Sequence, residues 1–114
     1  MKVIIAGGRC FKGTNKDWEI LCTMSQRYGI CEIVSGGASG ADSVGEHFAK
    51  ESGIVCKIFP ADWSTYGKSA GPIRNGQMAE YADAVILFPG GRGTANMRKL
   101  AKEHGLKILY DAEE

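Results

Sequence analysis

The sequence predicts an α/β domain spanning residues 1–114: three layers built around a five-stranded, all-parallel sheet with strand order 3-2-1-4-5. Three observations carry that reading. Apolar runs of strand length alternate with stretches of helical period along the whole chain. The run Ala84-Val85-Ile86-Leu87-Phe88 is unbroken, which suits a central parallel strand covered on both faces. Glycine clusters follow three of the runs directly, at Gly7-Gly8, Gly36-Gly37 and Gly90-Gly91.

Strands are expected at 2–6, 31–35, 54–59, 84–88 and 106–110, and helices at 15–28, 40–51, 72–82 and 94–104. Thr14-x-x-Asp17 and Ser39-x-x-Asp42 resemble capping boxes that open the first two helices. Gly29, Gly53 and Gly105 each stand just past a helix, where a left-handed residue closes the last turn. The second helix places Ala41, Val44, Gly45, Phe48 and Ala49 on its buried face; the last places Met97, Leu100, Ala101 and His104 there. Pro60 to Pro72 breaks the rhythm and reads as a loop of more than ten residues, a length that is usually functional. Trp63 and Tyr66 within it argue against disorder.

A formal net charge of +1 supplies no global field to attract nucleic acid or an anionic membrane. No apolar run approaches the ~20 residues needed to span a bilayer. Met1 to Ala6 is too short for a signal peptide and meets Gly7-Gly8-Arg9, so it reads as the first strand. Cys10, Cys22, Cys31 and Cys56 form no CxxC pair and no metal-ligand cluster. The expectation is a reduced, cytoplasmic protein with no metal and no resident cofactor.

In an open parallel sheet, ligands bind beyond the carboxyl ends of the strands, where the strand order reverses. Four loops reach that edge: Gly7 to Phe11, Gly36 to Gly40, the segment holding Asp62 and Trp63, and Gly90 to Thr94. Strand 84–88 ends at Pro89, and Gly90, Gly91 and Gly93 permit positive φ and close approach of another molecule. A helix then starts near Thr94, so free N–H groups and a positive helix dipole meet at one anion site, with phosphate its expected occupant. The second loop partly matches G-x-G-x-x-G, with Ser35 in the first glycine's place, then Gly37 and Gly40. Asp62 lies where a ribose-binding carboxylate would follow.

Several side chains admit two readings. Asp62 caps a turn or accepts from a hydroxyl, and Asp42 caps a helix or binds ribose. Trp63 and Tyr66 stack on a base or staple the loop to the core. Arg9, Arg74 and Arg92 are anion ligands or solvated surface groups. Glu113-Glu114 reads as a solvated tail. His47 and His104 have no partners in a triad-like arrangement, and Cys10 is not read as a catalytic thiol.

Pro89-Gly90-Gly91-x-Gly93-Thr94 resembles the PGGxGT motif of the Lonely-Guy phosphoribohydrolases and other members of the SLOG superfamily. Arg74-Asn75-x-x-Met78-Ala79-x-x-Ala82-Asp83 is similar to that group's arginine helix. Ser35-Gly36-Gly37-Ala38-Ser39-Gly40-Ala41-Asp42, paired with Phe59-Pro60-Ala61-Asp62-Trp63, resembles the YspA-like (YpsA-related) branch more closely still. The resemblance implies a Rossmann-like fold that binds nucleotides or nucleotide-derived ligands, commonly as a homo-oligomer. It also implies a link to NAD- and ADP-ribose-related signalling.

One position departs from the pattern. Lonely-Guy enzymes continue PGGxGTxxE and use that glutamate with the helix arginine to break an N-glycosidic bond. Met97 occupies the glutamate position here, and a thioether cannot shuttle a proton. The expected function is therefore binding of a phosphate-bearing nucleotide or nucleotide-derived signal without turnover. Gly91, Gly93 and Thr94 would cradle one phosphate, and Gly37, Ser39 and Gly40 another or the sugar edge. Arg74 would neutralise charge. The alternative is a nucleotide N-glycosidic hydrolase using Arg74 with Asp42 or Asp62. Single-stranded nucleic-acid binding is the third class, disfavoured by the neutral charge balance.

Overall fold

β-Branched and leucine side chains dominate the strands, and the two at the centre of the sheet are almost wholly withdrawn from solvent. The computed structural model describes residues 1–113. Its elements run β1 (Lys2–Ala6), α1 (Asn15–Tyr28), β2 (Glu32–Ser35), α2 (Ala41–Ser52) and β3 (Val55–Ile58). There follow a one-turn α3 (Trp63–Tyr66), a 3₁₀ turn (Gly67–Ser69), α4 (Ala70–Tyr81), β4 (Ala84–Leu87), α5 (Arg92–Glu103) and β5 (Lys107–Asp111). The sheet has five parallel strands in the order β3-β2-β1-β4-β5, as the sequence predicts. Val3 stands opposite Ile33 of β2 on one side and Ala84 of β4 on the other.

Alternation along the strands divides the core into two layers. Val3, Ile5, Ile33 and Ile86 face one way and pack with Leu21 of α1 and Phe48 of α2. Trp18 closes that layer edge-on to Phe48, with ring centroids 5.2 Å apart. Ile4, Val34, Val85 and Leu87 face the other way, onto Met78 and Ala79 of α4 and Met97 and Ala101 of α5. Helices thus cover both faces. None of the described helices is long and apolar enough to cross a membrane.

Several local expectations change. The segment predicted as a loop to residue 71 holds α3 and the 3₁₀ turn, and α4 begins at Ala70 instead of 72. Pro72 is its third residue, inside the first turn, where a missing N–H leaves no helical bond unmade. α5 likewise begins two residues early, at Arg92. The box at Thr14 and Asp17 forms as predicted. The one expected at Ser39 and Asp42 does not: Gly40 is the N-cap of α2, and no side chain caps it. Ser39 donates to the Arg9 carbonyl at 3.3 Å instead, while Asp42 accepts from the Ala38 N–H at 3.1 Å. His104, expected on the buried face, is exposed at the end of α5. Glu113 is not a free tail residue, because it pairs with Arg98 at 3.2 Å; Glu114 lies outside the described residues.

Candidate functional site

The order of the sheet reverses between β1 and β4, so a crevice opens beyond Ala6 and Leu87. Backbone bonds stitch the loops around it. The Gly8 N–H donates to the Pro89 carbonyl at 2.8 Å, and the Gly8 carbonyl accepts from Ala41 at 3.1 Å and Phe11 at 3.2 Å. The first glycine loop is therefore tied to the loops on either side of it. Gly40 lies in the left-handed region at φ 76°, and a β-carbon there would collide with the Gly8 and Arg9 carbonyls.

Gly90, Gly91 and Gly93, expected to use positive φ, are not among the residues that do. Gly90 is needed for proximity: a β-carbon on it would stand 2.6 Å from the Gly8 nitrogen and strike the Thr94 hydroxyl. The same added atom on Gly91 or Gly93 would meet nothing within 4 Å, so both leave open space at the start of α5.

That space belongs to a cleft of about 550 Å³. Eleven of the candidate ligands singled out from sequence line it: Gly8 and Arg9; Ser39 and Asp42; Trp63; Arg74 and Asn75; Gly91, Arg92, Gly93 and Thr94. Gly36 and Gly37 line a neighbouring recess of about 480 Å³, which shares Arg9, Ser39, Trp63 and Arg74 with the cleft. Gly40, Pro89 and Gly90 are among the residues lining neither; they hold the wall from behind. Asp62 lies outside both and caps α3, accepting from Thr65 N–H at 3.2 Å and the Ser64 hydroxyl at 2.9 Å. The Thr65 and Ser64 side chains, with the Thr65 N–H, hold its carboxyl below the usual range.

Arg74 enters from α4. It donates to the Gly36 carbonyl and, through Nε, to Asn75 Oδ1 at 3.0 Å. Asn75 in turn donates to Asn96 Oδ1 at 2.9 Å, linking α4 to α5. A β-carbon on Gly36 would lie 2.8 Å from Arg74 Cζ and 3.0 Å from Asp42 Oδ2, so this glycine opens the gap where cation and carboxylate converge. Burial pushes the Asp42 carboxyl up, against the opposing pull of the Ala38 N–H and Arg74. Burial also pulls Arg74 down; Asp42 opposes that, and the like charge of Arg9 adds to it. Arg9 stands over the Trp63 ring at 5.8 Å. Behind the wall, the Ser35 hydroxyl donates to Glu46 at 2.6 Å and accepts from Gly37 N–H at 3.1 Å.

The start of α5 faces the cleft. It has no side-chain cap and no acid in its first turn, and its first residue is Arg92. A cation there opposes the helix dipole. Its third residue, Thr94, is 4% exposed, yet its hydroxyl has no hydrogen-bond partner. An orphaned hydroxyl and free N–H groups at one end of a cleft form a donor set suited to an anion.

Sequence reading missed Lys68 and Asn96, which also line the cleft. Lys68 stands in the 3₁₀ turn, inside the long segment from Pro60 to Pro72, and nothing local singled it out there. Asn96 had no signal either: a polar residue on the first turns of a helix reads as solvated until Asn75 is seen opposite it.

A five-stranded parallel sheet covered by helices on both faces, with a cleft at its reversal point, defines a Rossmann-like domain. The chain belongs to the YspA, cpYpsA-related SLOG family, whose model matches residues 1–66. Its function is accordingly nucleotide-related. It is similar to the Gene 61 protein of Mycobacterium phage D29, with 33% identity over 118 residues, covering 95% of this chain and 94% of that protein. The X-ray structure of TM1055, a Northeast Structural Genomics Consortium target, superposes with a TM-score of 0.69. That match covers 94% of this chain and 71% of the other at 19% identity, a likeness of fold.

Proposed function

We propose that this protein binds a phosphate-bearing nucleotide or nucleotide-derived molecule in the cleft, senses or sequesters it, and does not turn it over. The observation that carries this reading is the unpartnered Thr94 hydroxyl at the uncapped start of α5. A phosphate oxygen is the acceptor that would satisfy it together with the neighbouring N–H groups. Arg74 supplies the balancing charge from α4. The absence of turnover is argued from Met97, which is 1% exposed and packed among Ile4, Val85 and Ala101 where Lonely-Guy enzymes carry a glutamate.

The test is mass spectrometry of small molecules released from the purified protein by denaturation, followed by incubation of the protein with whatever is identified. An intact nucleotide that stays intact supports the proposal. Release of a free base on incubation overturns it.

One observation favours a hydrolase as the second reading. Asp42 lines the cleft near Arg74 with its carboxyl raised by burial, the condition of a general acid. In that case Asp42 would protonate the departing base while water adds its hydroxyl to the anomeric carbon. Base release that vanishes in Asp42→Asn would establish it.

A further inference from the structure

The cleft carries far more charge than the chain that holds it. Arg9, Lys68, Arg74 and Arg92 line it against one carboxylate, Asp42, a balance of +3 within a protein of net charge +1. The cations are thus concentrated here, and the remaining surface is net acidic. One helix start, that of α5, takes part, together with the turn ahead of α4. Lys68 stands in the 3₁₀ turn that runs without a break into α4, and Gly71 of α4 opens onto the cleft. At α5 the charge of Arg92 adds to the helix dipole, an arrangement that a bound anion would relieve, and Lys68 supplies a further cation across the cleft.

A phosphate monoester brings roughly −1.5 to −2 at neutral pH, which would leave part of this charge unmatched. A second linked phosphoryl group adds the missing charge and extends the ligand beyond the start of α5. From this we infer that the ligand carries at least two linked phosphoryl groups, one at Thr94 and Arg92 and the next toward Lys68, with Arg74 between them. The inference rests on the nucleotide-binding reading and sharpens it to a diphosphate or longer ester.

The test is titration calorimetry with the four common ribonucleosides, their 5′-monophosphates, their 5′-diphosphates and inorganic pyrophosphate. The best diphosphate should bind about tenfold or more tighter than its monophosphate, the gain expected of added charge-assisted bonds. Lys68→Ala should weaken the diphosphate more than the monophosphate and so narrow that ratio. Equal affinity for the two, or an equal loss in Lys68→Ala, overturns the inference and leaves nucleotide binding standing. Pyrophosphate binding without any nucleotide binding does the reverse: it supports the two-phosphate site and overturns the nucleotide reading. No binding by any probe overturns both.

Discussion

Thr94→Val should make the empty protein more stable and the site worse. Valine keeps the β-branched shape and deletes the hydroxyl that is 4% exposed as part of its residue and has no partner. An unsatisfied buried hydroxyl costs about 1–3 kcal/mol, and deletion with the shape retained recovers it. The added methyl packs against Gly90, where there is no spare room, so the expected gain is the lower figure, about 1 kcal/mol. For a chain of this size that is a rise in Tm of roughly 3–6 °C by scanning calorimetry. Ligand binding should move the opposite way. Loss of a hydrogen bond to a charged oxygen costs about 1.5–3 kcal/mol, or roughly ten- to a hundredfold in Kd. Thr94→Ser, which keeps the hydroxyl, should bind nearly as wild type. A fall in Tm for Thr94→Val, or an unchanged Kd, would refute the assignment of this hydroxyl to an anion.

Gly93→Ala should separate fold from site in the same way. The new methyl meets no protein atom within 4 Å and removes a glycine from a helix, worth up to about 1 kcal/mol, yet it enters the space left for ligand, so the melt should improve while titration shows weaker binding. Met97→Glu places a carboxylate at a position 1% exposed; a loss of roughly 3–5 kcal/mol in a urea melt is expected, with no gained base release. Arg98 holds the Asp111 carboxyl below the usual carboxylate range through bonds of 2.7 and 2.9 Å. A lowered folded pKa stabilises above the unfolded value near 3.9 and is lost as pH falls through the folded one. The stability gap between wild type and Arg98→Ala should therefore be open at pH 7 and close below about pH 4.

The strands were readable because their signal is local and redundant. Ala84 to Leu87 is apolar throughout since both faces are covered, and β1 behaves alike. The strand order followed from chain connectivity and handedness. What escaped was set by contacts distant in sequence. α3 is a single turn, too short to show a period, and its cap Asp62 looked like a ribose ligand because cap and ligand are the same residue type. Ser39 and Asp42 have the spacing of a capping box, but Gly40 turns left-handed and sends them to other partners. The glycines after β4 were expected to use positive φ, and none of them does. At Gly90 it is crowding against Gly8, from a loop some eighty residues earlier, that excludes a side chain. Lys68 joined the site only when the loop holding it coiled back over the crevice.

The central place of β1 has a consequence during synthesis. Its two neighbours are β2, which follows within thirty-odd residues, and β4, which emerges only at Ala84 to Leu87. Until then one flank of Val3, Ile4 and Ile5 has no ladder partner, and the layer under α4 and α5 has no cover. A nascent chain stopped near residue 66 would expose an apolar strand edge of the kind that recruits other chains. Productive folding must wait for β4 to insert against β1. The closure that rescues the sheet also brings Pro89 to Gly8, so the crevice and the core are completed together once β4 is in place.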